Sequence, residues 1–188
     1  MGRKVAGSRK IKVSFALILL LCACSSINPA TNSPLEAIDQ IRVLAGFPAS
    51  TLSFVETTNM TNSPTGQLPV DLYQDETGRN FFVDPTSNTV VEIDARDSLL
   101  YDVNRSPGPE LTKEELEKKA EEFVRSAVPG FASIEDSLSY EAGQKGDNFF
   151  FTWRVLGNPE NLFMSPFIQL GLTSSGDLFA FYNTVTIH

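Results

Sequence analysis

Apolar positions along the chain change period several times, and each change marks an element. Ala37, Ile38, Ile41, Leu44 and Ala45 recur at helical spacing. They follow Ser33-Pro34-Leu35-Glu36, where Ser33 is a capping residue, Pro34 suits the first helical position and Glu36 completes a capping box. Gly46 stops the helix and Phe47-Pro48 bars its resumption. The period then drops to two. Leu52 to Val55, Val70 to Tyr73, Asn80 to Val83 and Val90 to Ile93 read as strands. Turn chemistry separates the later ones, at Asp75-Glu76-Thr77-Gly78 and Asp84 to Asn88. Thr57 to Gln67 reads as a polar loop, and Leu99 to Tyr101 as a strand extension or a packing segment across a join.

Ser106-Pro107-Gly108-Pro109 is a break, and the same order then repeats. Thr112 caps a second helix with Glu115 returning the box. Leu116, Ala120, Phe123, Val124 and Ala127 form its apolar stripe. Glu114–Lys118, Glu115–Lys119 and Glu121–Arg125 stand at i,i+4, a pattern of a solvated helix face. Pro129-Gly130 ends it. Strands are expected at Leu138 to Glu141, Phe149 to Leu156, Phe167 to Leu172 and Leu178 to Tyr182. The pattern predicts an α+β fold, each half a helix packed on an antiparallel meander.

The segment before Ser33 has a different character. Arg3, Lys4, Arg9, Lys10 and Lys12 precede the apolar run Val13 to Leu21, which is too short to span a membrane, a task requiring about 20 residues. Leu21-Cys22-Ala23-Cys24 then resembles the lipobox of bacterial lipoproteins, with Cys22 a departure at a position where Ala, Ser or Thr is usual. The resemblance implies removal of residues 1–23 as a signal peptide and a diacylglyceryl thioether on Cys24. Residues 24–32 are then a tether. Two acyl chains hold a protein stably on a bilayer. The protein is therefore expected on the cell membrane or outer membrane, facing away from the cytoplasm.

Charge and cysteine usage narrow the function. The leader carries five of the 15 basic residues and none of the 23 acids, so the net charge of −8 falls to about −13 once it is cut. Such a chain does not bind nucleic acid through phosphates. With Cys24 acylated and the one histidine at the last position, no disulfide, no Cys/His metal site and no Ser-His-Asp or Cys-His machinery can be assembled. No enzymatic activity, metal or cofactor is expected. The acids Asp71, Asp75 and Glu76, and Glu92, Asp94 and Asp97, supply calcium-type oxygens without EF-hand spacing. Solvated turn and strand-edge positions account for them more simply.

The halves also match in residues: Leu52-Ser53-Phe54 with Leu138-Ser139-Tyr140, and Asn80-Phe81-Phe82-Val83 with Asn148-Phe149-Phe150-Phe151. In the second half, LTKEELEKKAEEFV, FFFTWRV and IQLGLTSSGDLFAFYN resemble the PepSY and PepSY-like domains of envelope proteins and propeptides. SPLEAIDQI and FFVDPTSNTVVEI carry the likeness more weakly in the first. The resemblance implies two degenerate PepSY-like units, 33–105 and 110–188, and a role in binding or restraining a peptidase or another envelope protein. It brings no catalytic residue. In Phe149 to Leu156, alternation sets Phe149, Phe151 and Trp153 on one face and Phe150, Thr152 and Arg154 on the other. The first set reads as core. Phe150, Phe163 and Phe167 are the candidate binding surface on the second face, against the simpler reading that a helix or the other repeat covers them. A carrier of small ligands on that face is the alternative function.

Overall fold

The structure is a computed structural model that describes residues 33–60, 67–101, 108–157 and 164–185. The leader, Cys24, the tether and Phe163 lie outside the described residues. Helix α1 (Pro34–Ala45) begins where Ser33 Oγ accepts the Glu36 N–H at 3.3 Å, and it ends at Gly46 in the left-handed region, φ 70°. Four strands follow: β1 (Leu52–Met60), β2 (Leu68–Asp75), β3 (Asn80–Asp84) and β4 (Thr89–Asp94). Helices α2 (Arg96–Tyr101), α3 (Lys113–Ala127) and α4 (Phe131–Ile134) come next, with a 3-10 turn at Glu135–Ser137. Strands β5 (Leu138–Lys145), β6 (Asn148–Val155), β7 (Phe167–Thr173) and β8 (Leu178–Asn183) are the last elements among the described residues.

The fold is α+β, with one eight-stranded antiparallel sheet in the order β1-β2-β3-β4-β8-β7-β6-β5. Each run of four is a meander, and the last strand of one pairs with the last strand of the other. The expected break at 106–109 falls between α2 and α3. A single apolar cluster nevertheless draws on both halves. On one sheet face Phe81, Val83 and Ile93 stand with Phe151, Ile168, Leu170 and Phe181 under Ile38 of α1, Leu116 and Val124 of α3, and Phe131 of α4. Phe123 meets Phe181 edge-on at 5.4 Å, and Phe131 meets Trp153 at 5.9 Å, the offset geometry that aromatic quadrupoles favour.

Two local expectations change. Strand β1 runs on through Thr57, Thr58 and Asn59 to Met60, where a loop was expected. As an edge strand it needs no apolar alternation, and Thr58 and Met60 pair with Val70 and Leu68. Arg96 to Tyr101 is a helix, so of the two readings of Leu99 to Tyr101 the strand extension does not hold. Asp94 Oδ1 accepts the Arg96 N–H at 3.1 Å and Leu99 N–H bonds Ala95 O, so the local bonds favour a turn of helix. On α3 the capping box forms, which turns Glu115 back to the Thr112 N–H at 2.8 Å. The helix carries the ion pairs Glu121–Arg125, Lys113–Glu117 and Lys118–Glu122.

Asp75 is not a solvated turn acid. Its side chain is fully buried and accepts the Thr77 N–H and Oγ1–H at 2.9 and 2.7 Å, the Arg79 N–H at 3.0 Å, an Arg79 guanidinium N–H at 3.1 Å and the Ser50 hydroxyl at 3.1 Å. Buried Arg42 donates to Pro48 O, Ser50 O and Ser50 Oγ at 2.8–3.0 Å. Arg79 lies 4.4 Å over the Phe47 ring. This network ties the C-terminal end of α1 and the segment 47–51 to the β2–β3 hairpin. Burial raises the Asp75 pKa, but the Thr77 and Arg79 bonds outweigh it and the net shift is downward. Asp75→Ala leaves the Arg79 charge buried without its partner, and the expected loss is about 3–5 kcal/mol. Urea unfolding of parent and variant measures it; a loss under about 1 kcal/mol would assign the network no structural weight.

Candidate functional site

The sheet has two faces because its strands alternate, and the helices α1, α3 and α4 take only one of them. On the other, a row crosses six strands in register. Leu72 stands opposite Phe82, Phe82 opposite Glu92, Glu92 opposite Tyr182, Tyr182 opposite Gln169, and Gln169 opposite Thr152. At strand spacing this row is about 24 Å long. Its first part is apolar: Phe82 and Tyr182 pack with Leu68 against buried Met60, Val70 and Val91. Its far part is polar, and Gln169 Nε2 donates to Thr152 Oγ1 at 3.0 Å.

Glu92 sits at the centre of the row, half-buried. Burial pushes its carboxyl pKa up to about 7, the neighbouring Asp94 adds to the rise, and Arg96 works against it. Asp94 itself is held below the usual carboxylate range, chiefly by its side-chain bond from Arg96, whose Nε lies 2.8 Å from Oδ1. Across the seam, burial and then the Glu92 charge raise the Tyr182 hydroxyl pKa. The centre of this face is thus a carboxyl that exchanges its proton near neutrality between aromatic neighbours.

The candidate residues fall beside this row. Phe150 stands on β6 opposite Gly171 and meets Phe179 edge-on at 5.5 Å. Gly171 is required there, since a Cβ on it would lie 2.6 Å from the Phe179 ring. Phe167 pairs with Arg154, whose guanidinium is 5.3 Å over its ring. Phe150 and Phe167 therefore share the face that α3 does not cover, and Phe149, Phe151 and Trp153 belong to the helix-side cluster. Along the strands, however, they are separated by about 13 Å, with Thr152 and Gln169 between them, and they do not make one apolar patch.

Pattern reading did not single out Leu72, Phe82 or Tyr182. Glu92 reads from the sequence as one of a cluster of acids with Asp94 and Asp97, and its row with Phe82 and Tyr182 is set by pairing between distant strands. Of the acids considered for calcium, Asp71 accepts the Thr57 hydroxyl at 2.7 Å, Asp75 closes the hairpin and Asp94 holds Arg96. Among the described residues no group of three His, Cys, Asp or Glu converges as a metal site would need, and no helix is long and apolar enough to cross a membrane. Two clefts, of about 270 and 300 Å³, open on the helical side. The first lies among Leu44, Phe123, Leu170 and Leu178, the second among Glu117, Glu121, Glu135, Tyr140 and Trp153.

No family model matches the chain. No curated protein matches it either. Among solved structures it is similar to the Bacillus megaterium YpeB C-terminal domain, with a TM-score of 0.50 and 11% identity over 81% of this chain. The chain spans 63% of that structure's length. The likeness is one of fold.

The Glu92 environment gives a pH dependence. The folded state keeps a proton that the unfolded chain releases from about pH 4.5 upward, so the Glu92 contribution is full below that pH and is lost as pH rises towards 7. The slope is at most about 1.4 kcal/mol per pH unit, and less for a half-exposed group. Asp94 and Arg96 beside it and Tyr182 opposite keep their charge states across this window. Glu92→Gln is expected to remove the decline. Urea midpoints at several pH values test this; parent and variant curves of the same shape would contradict it.

Proposed function

We propose that the protein is a lipid-anchored, extracytoplasmic binding or regulatory protein, held to the membrane by acyl chains on Cys24 and acting on another protein. The fold likeness is the observation that carries the reading: a PepSY-like architecture, with an envelope lipobox ahead of it, agrees with a regulatory role outside the cytoplasm. On this reading the chain holds two PepSY-like units, 33–105 and 110–188, that have fused their sheets through β4 and β8 and share one core. The protein has no catalysis of its own. A peptidase or another envelope protein is the partner, which the sheet's second face meets with Phe82, Tyr182, Phe150 and Phe167.

A small-ligand carrier has less support. The apolar cleft beside Phe123 lies on the helical side and not on the second face, and at about 270 Å³ it falls below the usual range for ligand pockets, about 300–1,000 Å³.

Cells grown with labelled fatty acid test the anchor. The parent is expected to take up label and fractionate with membranes, and Cys24→Ala to do neither. Equal labelling of the two would overturn the anchor. Crosslinking in intact cells, read by mass spectrometry, tests the partner: one envelope protein should be recovered with the parent and lost when Phe82 and Tyr182 are both changed to Ser. Recovery of the same protein with the double variant would remove the second face from the account.

A further inference from the structure

The sheet ends in two unlike edges. Edge strand β1 breaks register between Phe54 and Glu56, a bulge of the kind that blunts an edge against further pairing. Edge strand β5 has no such guard. It pairs with β6 without a break over all eight residues, from Leu138↔Val155 to Lys145↔Asn148, and contains no proline. Most of its residues are exposed. The bond from Leu156 N–H to Ser137 O fixes which backbone groups point inward. Residues 137 and 156 are directly opposite, so the odd residues of β5 bond to β6. The N–H and C=O groups of Leu138, Tyr140, Ala142 and Gln144 then point out from the sheet.

Beside this edge, under α3, opens the cleft of about 300 Å³. One wall is aromatic, with Tyr140 at 5.3 Å from Trp153. The other is carboxylate: Glu117 and Glu121 from α3, and Glu135 from the 3-10 turn. Arg125 pairs with Glu121 at 2.8 Å and with Glu135 at 2.7 Å, and Lys113 is 3.6 Å from Glu117. Three acids facing two bases leave the cleft negative. Burial, then the Glu117 charge and a hydrogen bond to Glu117, then the Glu121 charge, push the Tyr140 hydroxyl pKa up to about 12, so it stays a neutral donor to Glu117.

We propose that the β5 edge, with the Tyr140–Trp153–Glu117 cleft beside it, binds an extended segment of a partner protein as a ninth strand and takes a lysine or arginine side chain of that segment into the cleft. Main-chain bonds to Tyr140 and Ala142 supply strand addition. Alternate side chains of the added strand point to the helical side, so the residue facing Tyr140 enters between the aromatic rings and the carboxylates. There cation–π attraction and ion pairing select a basic group. The site rests on the reading of this protein as a binder of other proteins and names the chemistry of the segment it binds.

Trp153 is the single tryptophan of the chain, so its emission reports this cleft directly. The probe is a capped peptide of alternating threonine and valine with one central arginine, titrated against the full protein. The expected result is a saturable change in Trp153 emission. Affinity should drop about tenfold or more when the peptide arginine is replaced by glutamate, and likewise with Glu117→Gln. Ala142→Pro removes an outward N–H that the sheet does not use, and binding should be lost with unfolding by urea little changed. Should that variant not fold, a peptide N-methylated on the bonds facing β5 makes the same test on the parent and should not bind.

Equal affinity for arginine and glutamate peptides, or binding by the N-methylated peptide, would overturn the site. So would an edge-to-edge dimer of this chain, seen by sedimentation, that arginine peptide does not dissociate. Failure here with Cys24 still acylated and an envelope protein still crosslinked would remove only this site. Loss of acylation and crosslinking with the peptide still bound would remove only the broader reading.

Discussion

The pairing of β4 with β8 is the constraint on which the rest depends. It is short: Glu92↔Tyr182, Ile93↔Phe181 and Asp94↔Ala180, continued by the Ala95 N–H to Phe179 O. Ile93 and Phe181 are fully buried at its centre. Without it each meander would end in a bare strand with its apolar face half covered. With it, two bare edges are satisfied at once, and α1 and α3 share one apolar layer across the seam. The same pairing creates the second face, since it places Glu92 beside Tyr182 and carries the row from Phe82 through to Gln169.

The faces are specialised by what each must exclude. The helical side buries Phe, Leu and Ile behind long amphipathic helices and has little freedom to vary without cost. The second side mixes Phe82 and Tyr182 with Glu92, Gln169 and Thr152. Such a surface is neither a finished core nor a plain solvated face. Burial and the neighbouring Asp94 raise the Glu92 carboxyl pKa to about 7, so this face carries less negative charge than its acids would in water. The acids that read as a ligand cluster do different work, as hairpin lock, helix start and seam centre.

What the sequence made legible follows from range. Ser33, Gly46, Thr112 and Glu115 act within a few residues of themselves, so their caps stand where pattern places them. Strand centres with strong alternation, such as Phe149 to Val155, are equally local in origin. Thr57 to Met60 pairs because β2 is beside it, which no local preference states. Arg42, Ser50, Asp75 and Arg79 meet through loops up to 25 residues apart, and Asp75 therefore read as a surface turn. Phe150 and Phe167 could be assigned a common face by period, but the distance between them depends on register. The joining of two meanders into one sheet was hidden for the same reason.

The seam can be tested by amide hydrogen exchange under native conditions. If the eight strands form one cooperative sheet, the Ile93, Ala95 and Phe181 amides should exchange as slowly as Phe151 and Leu170 in the second meander and Phe81 in the first, all at the rate set by global unfolding. Fast exchange at the seam, with slow exchange kept inside each meander, would contradict the account.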